Sequence, residues 1–326
     1  MDKTEVQHYL QEDLEKVNSL MCESLATDIE LLDRTNRALL DRRGKQLRPM
    51  LALLTARVCG GGACNEDTIR FAAASELLHN ATLLHDDVAD NSAERRGAPT
   101  VMSLLGSRAA VLLGDFWLVR AVTRILDASR GSDRVVRIFA GTLSDLAEGE
   151  MLQLQKASSA DTTEEDYLRI VYGKTASLFV TTALSAAISV GATPAREEAV
   201  RRYAESLGIA FQIRDDIFDY EDAPAIGKPV GLDLQEQKIT LPLLGALKAV
   251  PEEERRIRNL VLGMMEHPEN QCEIVDFVKT SGGMDYARRR LEEYVDKAVA
   301  ALDALPEGRD RDALAVMARF VGERQS

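Results

Sequence analysis

LLHDDVADNSAERRGAPT, residues Leu83 to Thr100, is the stretch on which the reading of this chain turns. An apolar lead-in runs into three carboxylates, Asp86, Asp87 and Asp90, and then into two adjacent cations, Arg95 and Arg96. At roughly 100° per residue a helix sets Asp86 and Asp90 on one face, with Asp87 beside them. Like charges so close repel one another, so the spacing calls for a cation between them, and an all-oxygen donor set suits Mg²⁺. The arginines offer the fork geometry that grips phosphate. Taken alone, the stretch also reads as a solvated acidic face with a basic turn behind it. The apolar lead-in argues against that. A second cluster in FQIRDDIFDYED, Asp215, Asp216 and Asp219, repeats the i, i+1, i+4 spacing about 130 residues on. Two such clusters read as two walls of one metal site.

The 326 residues carry only 9 Pro and 5% aromatic residues, and strand-like alternation of β-branched residues is scarce, so an all-α protein is expected. A formal charge of -13, with 53 acidic against 40 basic residues, speaks against a nucleic-acid-binding surface, which needs a cationic face. The cysteines, Cys22, Cys59, Cys64 and Cys272, are scattered without metal-ligand spacing and read as packing thiols of a reducing compartment. The opening MDKTEVQHYLQEDLEKV does not read as a targeting signal, and no run of about 18 apolar residues occurs, so a cytoplasmic protein without a transmembrane segment is expected. No repeat or low-complexity linker divides the chain, which predicts a single domain over residues 1–326.

Residues 4 to 41 read as two amphipathic packing helices. In DRRGKQLRPM, Gly44 interrupts the helix and Pro49 suits the first turn of the next one. Lys45 and Arg48 beside that helix start form either an anion site or a solvated basic linker. A long helix from about Asn65 to Asn91 brings His79 within roughly 40° of Asp86 and Asp90, while His85 lies on another side and reads as structural. Two further helices cover about 107–127 and 132–156, with Phe116 and Trp117 as core aromatics. In YLRIVYGKTASLF, Lys174 and Thr175 follow Gly173 inside a helical pattern, which predicts a kink turning both into a cavity. The helix from about Arg196 to Asp222 carries the second cluster, with Gln212 three residues before Asp215. Then APAIGKPVGLDLQEQKITLP, the longest irregular stretch, carries Lys228 and Lys238. From Leu241 the pattern is helical to the end.

Taken in order, GKQLRP, ELLHNATLLHDDVAD with RRGAPT, GDFW, EGEMLQLQ, KTASLF, FQIRDDIFDY and GKPVGLDLQEQKITLP resemble the trans-isoprenyl diphosphate synthases, particularly their longer-chain members, over about residues 40–245. The resemblance implies an all-α isoprenoid-synthase bundle around a deep cavity, usually homodimeric, that condenses isopentenyl diphosphate onto an allylic diphosphate with Mg²⁺. It implies Asp86 and Asp90 as metal ligands from the first cluster and Asp215 from the second, with Asp219 supporting, and counts Asp87 and Asp216 among the metal-site residues. Arg95, Lys174, Lys228 and Lys238 would hold the allylic diphosphate, and Lys45, Arg48, His79 and Arg96 the isopentenyl diphosphate. Thr175 and Gln212 would turn oxygen dipoles toward the allylic cation. There are departures: Arg43 and Gln46 stand where the family often has Gly and a basic residue, Arg214 where an apolar residue is usual, and Gln237 where Gly is frequent.

Product length is expected to depend on Ala81 and Thr82, small here and aromatic at one or both positions in shorter-chain relatives. Ala74 and Ser75 are small one turn deeper, with Leu78 and Trp117 as candidate stops. Two or three open turns at about 1.5 Å per residue leave room for several additional prenyl units and so a product longer than geranylgeranyl; the resemblance implies about six to nine units. Rival readings are a short-chain synthase or terpene cyclase, a non-catalytic subunit of a heteromeric synthase, and an HD-type metal phosphohydrolase. The last would bring both His79 and His85 to the metal.

Overall fold

The computed structural model describes residues 2–42, 44–95, 97–128, 132–221 and 231–323. Among these the helices are α1 (Lys3–Tyr9), α2 (Gln11–Ser24), α3 (Glu30–Asp41), α4 (Leu47–Gly60), α5 (Glu66–Ala89), α6 (Val101–Leu105), α7 (Ser107–Leu126), α8 (Ser132–Ser159), α9 (Glu164–Val171), α10 (Ser177–Ser189), α11 (Pro194–Phe218), α12 (Leu232–Gln235), α13 (Leu241–Ala249), α14 (Glu254–Leu262), α15 (Asn270–Thr280), α16 (Gly283–Ala301) and α17 (Arg309–Glu323). Two residue pairs, β1 (Glu94–Arg95) and β2 (Ala98–Pro99), form a small antiparallel ladder. The chain forms two compact units. Unit 1 is Met1–Ala140, Thr181–Val200 and Ala304–Leu314; unit 2 is Gly141–Val180, Arg201–Asp303 and Ala315–Ser326.

In unit 1, α5 starts at a capping box: Asn65 Oδ1 accepts the Thr68 N–H at 2.8 Å, and Thr68 Oγ1 lies 3.4 Å from the Asn65 nitrogen. Every residue from Phe71 to Leu78 is buried, as is every residue from Leu47 to Ala56 on α4. Helices apolar on all sides belong inside, and α5 packs against α4, α2 and, most extensively, α7. Gly114 permits the last of these contacts: a Cβ there would lie 2.3 Å from His85 Nε2. The imidazole also sits 3.3 Å from the Val111 carbonyl and 3.3 Å from Asp115, so the HDD and GDFW segments interlock through His85. Trp117 is core, donating Nε1–H to Asn36 Oδ1 at 2.9 Å, whereas Phe116 is half-buried with Arg120 stacked over its ring. The N-terminal segment forms three helices rather than two, because the chain breaks at Leu10 (φ -99, ψ 4) as well as after Ser24.

In unit 2 the expected kink is a π-helical turn, Tyr172–Ala176, between α9 and α10. Such turns widen the helix by one residue and recur at functional sites. Glycines let the backbones around it touch. A Cβ on Gly173 would stand 2.5 Å from the Asp145 carbonyl oxygen, and one on Gly208 2.5 Å from Ala176 Cα. Around Gly208, α11 contributes Tyr203, Ile213 and Ile217 to the core.

These contacts make opposite predictions for two glycines. Gly208→Ala forces backbone apart and should cost about 1–3 kcal/mol. Gly141→Ala, on an exposed helical position with nothing within 4 Å, should stabilise by roughly 0.5–1 kcal/mol. Urea denaturation of the two variants measures both.

Candidate active site

Unit 1 carries the first cluster at the C-terminal end of α5. Asp86 is half-buried, Asp87 buried, and Asp90, which caps the helix, exposed. The three carboxylates thus differ in role. Asp87 turns inward and accepts Nε–H of Arg95 at 2.7 Å, and Arg95 is held opposite Ala98 by the β1–β2 ladder. Gly97, at φ +72, makes the turn of that ladder, a conformation that costs glycine little. Lys45 precedes α4 and Arg48 lies buried in its first turn with Pro49, after Gln46 in a left-handed conformation (φ 48). His79 is half-buried on α5; nearby on that helix Ala81 is buried, and Thr82 is half-buried with its hydroxyl donating to the His79 carbonyl at 2.8 Å. Arg96 and Lys228, both expected phosphate ligands, lie outside the described residues, as does Arg43.

In unit 2 four of the other expected residues, Lys174, Gln212, Asp216 and Lys238, line a cavity of about 140 Å³ together with Asp233, whereas Asp215, Asp219 and Thr175 are not in its lining. A run of hydrogen bonds starts in its wall and ends at Thr175. Tyr167 donates its hydroxyl to Asp216 Oδ2 at 2.6 Å, Gln212 donates Nε2–H to Asp216 Oδ1 at 2.8 Å, and Thr175 donates its hydroxyl to Gln212 Oε1 at 2.8 Å. The carboxylate decides the amide's orientation: Asp216 takes the NH₂, so the Gln212 oxygen must face Thr175. Lys174, on the π-helical turn, pairs with Glu150 at 2.7 Å and Gln153 at 3.0 Å. Lys238 pairs with Glu236.

Asp233, Tyr167, Glu150 and Gln153 were not picked out from the sequence. Glu150 and Gln153 stand in EGEMLQLQ and Asp233 in GLDLQEQK, motifs already conspicuous, but Tyr167 is one apolar position of an ordinary amphipathic helix.

Charge accumulates on this wall. Burial, added to by Asp215 and Asp219 and opposed by the Tyr167 and Gln212 hydrogen bonds, pushes the Asp216 carboxyl up to about 7. Asp219 and Asp233 are raised as well, burial again first. Neighbouring carboxylates that resist ionising are a donor set short of positive charge, and the oxygens fit a hard divalent cation. Among the described residues no three carboxylate, thiol or imidazole groups converge into a ready-made metal cage.

The octaprenyl diphosphate synthase of Escherichia coli (strain K12) is 38% identical over 99% of each chain. Among solved structures, a decaprenyl diphosphate synthase from Rhodobacter capsulatus superposes with a TM-score of 0.92 at 35% identity, covering 99% of each chain. A polyprenyl synthase from Caulobacter crescentus CB15 complexed with calcium and isoprenyl diphosphate does so at 0.91 and 34%, covering 100% of this chain and 98% of that one. The polyprenyl synthetase family model matches residues 29–278, and this chain belongs to that family, with its all-α isoprenoid-synthase fold. It is a trans-polyprenyl diphosphate synthase, a prenyltransferase of isoprenoid biosynthesis.

The raised Asp216 carboxyl has a stability signature. With 3.8 as its ordinary value and about 7 in the fold, the folded protein binds the proton more tightly between those limits. This group's contribution is therefore complete below about pH 4 and declines as pH rises to about 7. Thermal melts of metal-free protein should show a flatter pH dependence across that window for Asp216→Asn than for wild type; equal slopes would refute the assignment.

Proposed function

We propose that the chain condenses isopentenyl diphosphate head-to-tail onto an allylic diphosphate, building a long-chain all-trans polyprenyl diphosphate, with the allylic diphosphate received at the unit 2 cavity. The observation that carries this is the Tyr167–Asp216–Gln212–Thr175 run beside Lys174 and Lys238: cations for a diphosphate next to oriented oxygens for a carbocation. Asp86, Asp90 and Asp215 would hold Mg²⁺, with Asp87 and Asp216 behind them fixing Arg95 and Gln212. A polyprenyl synthase carrying calcium and isoprenyl diphosphate supports a divalent cation used together with substrate, and Mg²⁺ is commonly bound by one or two carboxylates plus substrate phosphates. When bound, it neutralises the leaving diphosphate so that the allylic C–O bond can ionise.

The protein's part is binding and electrostatics. Lys174, Lys228, Lys238 and the terminal nitrogens of Arg95 hold the allylic diphosphate; Lys45, Arg48, His79 and Arg96 hold that of isopentenyl diphosphate. Thr175 and Gln212 stabilise the cation by their dipoles, and the alkene attacks it without a protein nucleophile. The final proton passes to the released diphosphate. The HD-type alternative loses its second histidine, since His85 is packed on Gly114. The product proposed is about six to nine prenyl units, supported by small Ala74, Ser75, Ala81 and Thr82 on α5, while Trp117, bonded to Asn36, suits core packing better than a tunnel stop.

We further propose a cytoplasmic homodimer of one synthase domain. The family match from residue 29 to 278 runs through segments of both units, which favours one domain. Four free thiols suit a reducing compartment, and among the described residues no helix is long and apolar enough to cross a membrane. Leu112, Val119 and Leu126 recur every seven residues on α7 and are 60%, 61% and 61% exposed, a heptad seam suited to the same helix of a second copy.

Two experiments follow. Chromatography of prenyl products made from isopentenyl and farnesyl diphosphates with Mg²⁺ should show condensation lost by several orders of magnitude in Asp86→Ala and Asp215→Ala, with helicity retained. With geranyl diphosphate as primer in place of farnesyl, Thr82→Phe and Ala81→Phe should shorten the product toward farnesyl or geranylgeranyl diphosphate without abolishing the first condensation; unchanged length ends the tunnel argument. Sedimentation should find a dimer for wild type and a monomer for Leu112→Glu combined with Val119→Glu, whereas a monomeric wild type would rule the seam out.

A further inference from the structure

The third aspartate of the second cluster is engaged differently from the others. Asp219 follows the end of α11, and the chain returns to it twelve residues later. Its carbonyl accepts the Gly231 N–H at 2.8 Å, its Oδ1 the Leu232 N–H at 2.9 Å, and its Oδ2 the Asp233 N–H at 3.1 Å. Leu232 and Asp233 open α12, whose first amides have no partner within the helix, and the Asp219 carboxylate supplies both. Gly231, at φ +77, makes the approach possible, since a Cβ there would lie 2.6 Å from Gln271 Nε2. The register then passes on. The Asp233 carbonyl accepts the Lys238 N–H at 2.8 Å, and Gln237, left-handed at φ 58, donates Nε2–H to the Leu262 carbonyl at 2.7 Å. Asp233 and Lys238 both line the cavity with Lys174, Gln212 and Asp216. The start of the excursion is pinned separately: Glu221 pairs with Arg288 at 3.2 Å and Arg214 at 3.7 Å, and Arg214 stacks on Phe218.

We propose that Asp219 is a positioning residue rather than a metal ligand: by clasping the backbone of Leu232 and Asp233 it sets where Asp233 and Lys238 stand on the cavity wall. Both of its oxygens accept from backbone amides. The proposal rests on the reading of this cavity as the allylic diphosphate site. Lys238 meets that diphosphate in register only while the clasp is intact. Because Glu221 is anchored by Arg214 and Arg288, removing the Asp219 carboxylate leaves α11 attached to α16.

The test compares wild type with Asp219→Ala and Asp219→Asn, the latter keeping one amide acceptor. Amide hydrogen exchange should accelerate at least tenfold at Leu232 and Asp233 in Asp219→Ala. KM for farnesyl diphosphate should rise at least tenfold while kcat falls less, and the half-activating Mg²⁺ concentration should stay within twofold of wild type. Asp219→Asn should fall between. Exchange unchanged in both variants, or a tenfold higher Mg²⁺ requirement with exchange unchanged, overturns the proposal and returns Asp219 to the metal. Lys238→Ala separates the two readings: an unchanged KM for farnesyl diphosphate overturns the assignment of the cavity, while exchange still decides the clasp.

Discussion

A carboxylate buried on a helix must be given hydrogen bonds or be neutralised, and unit 2 is arranged around meeting that requirement at Asp216. Tyr167 and Gln212 supply the donors, and in doing so orient the Gln212 amide and through it the Thr175 hydroxyl. The same demand recurs in unit 1, where buried Asp87 is answered by Arg95. In each cluster the middle aspartate is spent on structure, and in the second cluster the Asp219 carboxylate also holds backbone, accepting from the Leu232 and Asp233 amides. The inward turn of the middle member follows from geometry: at i+1 a helical side chain points roughly 100° away from its neighbour, so one of two adjacent aspartates must turn inward.

Close backbone approach is the second requirement. Gly149 and Gly173 are matched, a Cβ on the former falling 3.1 Å from the Lys174 nitrogen, and Gly208 meets Ala176. The π-helical turn between them adds a residue without ending the helix, which lets Lys174 reach Glu150 and Gln153 while Thr175 meets Gln212. In an unbroken α-helix these consecutive residues would fall into a different register. Backbone irregularity of this kind is found where several side chains must converge from one short segment.

Three of the four departures from the family pattern, those at described residues, have local explanations. Gln237 adopts φ 58, where Gly is easiest, and holds the strained position by donating to the Leu262 carbonyl. Gln46, also left-handed, donates Nε2–H to Asn18 Oδ1 at 2.7 Å, a contact to α2 that needs no basic side chain. Arg214 covers Phe218 and reaches Glu221, using a charged residue where packing alone would accept an apolar one.

Helical class, the two aspartate clusters and the order of the motifs were legible in the chain itself, because helical periodicity and like-charge spacing are properties of neighbours in sequence. The start of a long helix near Asn65 and Gly173 as an irregularity were legible for the same reason. The sequence alone left open which aspartates point outward, that His85 fills the space over Gly114, and that Tyr167 and Asp233 belong to the site. These depend on residues brought together from distant segments: Tyr167 lies 49 positions from Asp216, and its partner is chosen by how α9 and α11 pack. Local sequence sets which way a side chain leaves its helix, but only packing decides what it meets, and there the cost of an unpaired buried charge selects the partner.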